Sequence, residues 1–294
     1  MIGLSLALFL ATAQAGPADP ITVTGTRLTP AETRRRAVEF VQRTGVANGE
    51  RPVARWADPV CPHVQGLDDR YAAIVERRMR EVASATGVPV AADGCRANIV
   101  VSFAYGAGEV ARAVAARVPR YLEDVSAPRR AELFEGDAPI RWLYASDTRG
   151  LQGDRATQGG MAFATIDGGE GGGSAFGTVP AVANYSSSMI STLTARVLTS
   201  ATVIIDLRLV EGRPLAAIAD YAAFVAFAEI RPADPSPSGS ILAMFAGGRP
   251  EFTDWDRAFL SALYRIPLDR MGRRHRGLLV RELVAAANGE RVTP

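Results

Sequence analysis

The run PLAAIADYAAFVAFAEI, residues 214–230, constrains the fold of this chain more than any other segment. It reads as a helix that is apolar nearly all round. Ile218, Tyr221, Val225 and Ala228 would cover one side, and Phe224 and Phe227 add bulk elsewhere. A helix with one apolar stripe can lie on a surface, whereas one without a polar face needs other elements packed around it. The chain must therefore build a shell about 214–230. Asp220 is the exception within the run, because a carboxylate on so apolar a helix is costly unless paired or near a rim. The expected partner is an arginine from another element, such as Arg141, Arg196 or Arg208. The alternative is a polar pocket around Asp220 and Tyr221.

The start of the chain, MIGLSLALFLATAQAGPADP, has an apolar run from Ile2 to Leu10 followed by the small-x-small pattern Ala13-Gln14-Ala15. This predicts a signal peptide over 1–15, cleavage after Ala15, and a mature protein in the periplasm or secreted. No later segment is long and apolar enough to span a bilayer. A formal charge of +2 lies near balance and argues against a general nucleic-acid binder. The sequence holds no lysine, so apart from two histidines every basic side chain is arginine.

Cys61 and Cys95 are the only cysteines, and in an oxidising compartment such a pair predicts a disulfide. A metal or redox pair is disfavoured: there is no C-x-x-C, and His63 is the only nearby nitrogen ligand.

Residues 16–29 read as an extended, exposed leader. Thr29 can cap a helix opening at Pro30, with Glu32 at its positive end and Gly45 as its stop. Residues 51–64, broken by three prolines, read as extended. Asp68 begins an amphipathic helix with Tyr71, Ile74, Val75, Met79 and Val82 on one face, ended by Thr86-Gly87. Ala97–Phe103 is a β-branched apolar run and predicts a central strand. Helices over 109–118 and 128–134 and a strand over 140–145 follow. Residues 149–183 are Gly-rich and short of large apolar side chains, which predicts a flexible loop. Beyond it, 189–198 and 202–209 read as two strands joined at 199–201. One domain results, its N-terminal part over 30–148 and its C-terminal part over 184–294.

The order of pieces from 214 onward resembles metzincin-like metalloproteases: a helix, the loop RPADPSPSG, the turn SILAMF (240–245), and TDWDRAFLSALY (253–264). With R-W-x-D-P-V at 55–60, A-T-G-V at 85–88 and A-N-I-V-V at 97–101, the chain is similar to a secreted bacterial family of unknown function with a metzincin-like core. That resemblance implies an α+β fold, a zincin-like mixed sheet packed against long helices, with a Gly-rich insertion. Ser240-Ile241 and Met244-Phe245 would pack beneath the 214–230 helix, and Trp255, Phe259, Leu260, Leu263 and Tyr264 would close the base.

A catalytic zinc needs three protein ligands, usually two histidines four apart on one helix, with a glutamate as general base. Here the H-E-x-x-H positions hold either Asp220, Tyr221 and Phe224, or Tyr221, Ala222 and Val225. Glu229, nine residues from Asp220, would face the opposite side. The two histidines, His63 and His275, lie elsewhere, and His275 in GRRHRG reads as a solvated surface residue. The sequence thus points to no catalytic residue, metal or cofactor, and leaves Asp220 and Tyr221 as the candidate relic site. The leading expectation is an exported, catalytically silent protein that binds an envelope partner. Alternatives are a hydrolase with a non-zinc site, and an accessory of outer-membrane transport through ITVTGTR (21–27), which resembles a TonB box.

Overall fold

The computed structural model describes residues 28–47, 49–150, 157–159, 179–181, 191–192, 194–231 and 235–288. The signal-peptide and TonB-box-like segments, and most of the leader and of the Gly-rich stretch, lie outside the described residues.

Helix α1 (Pro30–Thr44) begins where its sequence allows. The Thr29 hydroxyl accepts from the Glu32 N–H, and the Glu32 carboxylate accepts from the Thr29 N–H, a reciprocal cap. Gly45 ends it in the left-handed region at φ 65°, and a Cβ there would stand 1.8 Å from the Arg231 carbonyl oxygen. Glycine is required twice over, by backbone and by space. Strands β1 (Ala54–Trp56) and β2 (Pro62–Gln65) follow, then α2 (Asp69–Thr86), which also ends at a left-handed glycine, Gly87. The buried stripe of α2 is Val75, Met79, Val82, Ala83 and Thr86. Tyr71, expected on that stripe, is 47% exposed; in the first turn it is Ala72, one residue on, that packs against the core.

Next come β3 (Ile99–Ala104), α3 (Ala107–Arg117), α4 (Ala127–Glu135), β4 (Ile140–Gly150), β5 (Thr157–Gly159), β6 (Val179–Ala181) and β7 (Thr194–Asp206). Strand β7 organises the sheet. Antiparallel β4 runs along one edge of it from Ile140↔Ile205 to Gly150↔Thr194. On the other edge, parallel β1 pairs with its first part and parallel β3 with its second, and β2 lies outside β3. The expected break at 199–201 is absent: β7 runs through it, with Ser200 and Ala201 paired to β4 and Thr199 bulged out of the ladder, its hydroxyl donating to the Ala145 carbonyl. Partnering by 194–198 also carries β4 past its expected end at 145. Within the Gly-rich stretch, the described residues include β5 and β6, which pair antiparallel.

Helix α5 (Leu215–Phe227), a 3-10 helix over Ile241–Ala246, α6 (Asp254–Arg265) and α7 (Gly272–Ala287) complete the chain. Every residue from Ala217 to Phe227 is buried, as an apolar helix of this kind demands. One sheet face, carrying Trp142, Val203 and Ile205, meets α5 and its neighbours in a large core that joins Phe40, Met79, Phe224 and Leu263. The opposite face, carrying Leu143, Ala145 and Ile204, is covered by α3 and α4 over a smaller core. Alternation along β4 and β7 thus feeds two layers. The architecture is a mixed α/β sheet between helical layers. No described helix is long and apolar enough to cross a membrane.

Candidate functional site

Asp220 lies at the middle of α5, 4% exposed, on the side facing α2. Its two carboxylate oxygens accept from Arg78 Nε at 2.6 Å and Nη2 at 3.2 Å, a forked pair. The hydrogen bond to Asp220 holds the Arg78 guanidinium above its ordinary pKa. None of the expected partners is used. Arg141 sits beyond the opposite sheet face, bonded to the Leu133, Gly136 and Ala138 carbonyls, Arg196 serves Glu229, and Arg208 lies near Asp206. The reason is geometric: α2 packs alongside α5, and Arg78, next to the buried Met79, borders both the core and water.

Tyr221 points elsewhere. Its ring packs between Trp142, at 6.1 Å, and Phe245, at 5.7 Å, and burial pushes its phenol well above the ordinary value. A step of about 100° along the helix separates it from Asp220, so the two do not share a pocket. The Phe224 ring meets Phe252 edge-on and Phe259 at a tilt. The positions where the resemblance would place zinc ligands and base are therefore a salt-bridged carboxylate and aromatic packing. These residues do not fit a zinc ion. Among the described residues, no three His, Cys, Asp or Glu side chains converge as a metal site.

Glu229 corrects a second expectation. Helix α5 ends at Phe227, and Ala228 bridges to Arg55 beside β1, so Glu229 is not on the helix. It is 4% exposed, with Arg196 Nη1 at 2.8 Å, Arg231 Nη2 at 2.8 Å and Arg51 Nη2 at 3.4 Å. Burial alone would raise its pKa, but the hydrogen bonds and charge of Arg196, with Arg51 and Arg231, hold it at about 2. Beside it a small cleft at β4 is lined by Trp142, Tyr144, Leu133, Arg120, Arg129 and Arg231. The Tyr144 hydroxyl is fixed there, donating to the Val225 carbonyl and accepting from the Ile230 N–H. An ionised glutamate clamped by three guanidiniums is a poor proton acceptor. This is a scaffold of charge.

Asp256 joins the two motifs after α5. It is fully buried and accepts from Ser240 Oγ at 2.5 Å, Ile241 N at 2.8 Å, and Thr253 N and Oγ1 at 3.0 and 2.8 Å. The Ser-Ile turn and the cap of α6 are thus one hydrogen-bonded junction. No arginine is among the groups that lower the Asp256 pKa, and burial outweighs them, pushing it up to about 6.

The histidines divide. His63 is exposed, 3.4 Å from Glu76. His275, expected in solvent, is fully buried. Its Nδ1 accepts from the Val53 N–H at 3.2 Å and its Nε2 donates to the Pro267 carbonyl at 2.8 Å. Burial holds its pKa below the ordinary value, with Arg270 and Arg55 acting in the same direction. The spacing of His275 to Leu279 and Leu283 marks the inner face of α7, while Arg274 projects outward and half-buried Arg276 donates to the Ala47 carbonyl. Cys61 and Cys95 are bonded, tying the start of β2 to the approach to β3.

The chain matches no protein-family model, and comparison with curated proteins and with solved structures likewise returns no match.

Proposed function

We propose that this chain is an exported, zincin-like protein without a catalytic centre, which acts by binding in the cell envelope. The observation that carries this reading is the use made of α5. The positions that would serve zinc chemistry are spent on structure, with Asp220 held by Arg78 and Phe224 locked among Phe252 and Phe259. The zincin-like part draws support from the mixed sheet packed on helices and from the Asp256 junction, which ties together the turn and closing helix that bear the resemblance. The Cys61–Cys95 bond is consistent with export.

Metal analysis of dialysed protein, paired with a peptide-cleavage assay, tests the reading. The expected result is no stoichiometric zinc and no chelator-sensitive cleavage. One retained equivalent of zinc together with such cleavage would overturn it. Deleting residues 16–29 tests the transport-accessory alternative: lost capture of an outer-membrane partner protein would favour that alternative.

A further inference from the structure

The near-neutral charge of the chain conceals an uneven distribution. From Arg270 to Arg281 there are five arginines and no carboxylate. Helix α7 buries His275, Leu279, Val280 and Leu283, and turns Arg273, Arg274 and Arg281 outward, with Gly277 between them. At about 100° per residue these positions form one stripe. Helix α7 packs against α1, which exposes Arg34 and Arg35. Together the two helices hold eight arginines against three carboxylates, a net +5, while the whole chain carries +2. The remainder is therefore net acidic, and the two packed helices carry the excess of positive charge. Among the described residues, Arg34 and Arg274 have no carboxylate within ion-pair distance, and Arg273 is opposed only by exposed Glu50. At the head of α7, Met271 is 53% exposed.

We infer that the outward face of α7 and α1 docks on a bilayer surface bearing anionic headgroups. The charges are complementary: guanidiniums exposed on two packed helices meet a plane of negative charge at several points at once. An exposed methionine at the edge of the stripe adds an apolar contact for the headgroup region. The inference rests on the envelope reading, because export brings the chain to such a surface.

Each arginine near an anionic bilayer contributes about fivefold to binding. The test is co-sedimentation of the full chain with vesicles of phosphatidylcholine alone or mixed with phosphatidylglycerol. We expect binding to the mixed vesicles only, lost at high salt, and weakened about 100-fold in the Arg34→Gln/Arg273→Gln/Arg274→Gln variant at unchanged melting temperature. The Arg112→Gln/Arg117→Gln variant, on α3 across the sheet, is expected to bind as the parent does. Equal binding to neutral vesicles, an undiminished triple variant, or an equal loss in the α3 variant would each overturn the inference. Failure on vesicles by a chain shown by mass to be exported and processed rejects this face alone. Vesicle binding by a chain that keeps residues 1–15 in the cytoplasm rejects the export reading alone.

Discussion

Asp220 and Glu229 are nine residues apart on one apolar segment, and both are 4% exposed, yet their burial is offset in different ways. Asp220, in mid-helix, meets a single guanidinium whose own side chain is 37% exposed, so the pair stands at a rim and water shares the charge. Glu229, just past the helix end, draws in Arg196 and Arg51 from separate parts of the chain together with Arg231 two residues on, and Arg196 is only 12% exposed. Asp256 extends the contrast. Hydrogen-bond donors without a guanidinium leave its pKa raised by burial, whereas the guanidiniums around Glu229 drive that pKa down. A buried carboxylate takes its properties from what reaches it, and the residue type alone does not settle them.

The largest test of this comparison is Glu229→Ala. It leaves the mostly buried Arg196 and the half-buried Arg231 and Arg51 without their shared carboxylate, Asp124 alone remaining beside Arg51 and Arg196. Denaturant unfolding should show a loss of about 3–4 kcal/mol. A loss under about 1 kcal/mol would reduce the cluster to an ordinary surface network.

The next is the acid limb of stability. The Glu229 pKa is lowered from 4.5 to about 2, so its contribution is complete above the unfolded value and is lost as pH falls through the folded one. Linkage puts that loss at about 3 kcal/mol. Unfolding free energies measured from pH 5 down to pH 2 should therefore fall more steeply in the parent than in Glu229→Gln. Parallel curves would mean that Glu229 is not held ionised.

Asp220→Asn should be the mildest change. One neutral hydrogen bond to Arg78 survives, and the freed guanidinium turns to water, for a loss of about 1–2 kcal/mol, with Asp220→Ala somewhat worse. Metal content should not move in either variant. If Asp220→Asn cost as much as Glu229→Ala, the distinction between rim pair and buried cluster would fail.

Local signals in the sequence were enough for much of the fold. Thr29, Pro30, Glu32 and Gly45 delimit α1 because cap and stop are decided within a few residues. Thr253 starts α6 for the same reason, and the unbroken apolar character of 214–230 placed α5 inside. Two lone cysteines were sufficient for the disulfide. Tertiary structure decided the rest, since it depends on which segments become neighbours. Residues 199–201 stayed within β7 because β4 pairs on both sides of the bulge at Thr199, Asp220 chose Arg78 because α2 lies against α5, and His275 turned inward because α7 had to bury Leu279 and Leu283. Caps and apolar periodicity act over one or two helical turns. Ion pairs and strand registers join residues that only the folded chain brings together.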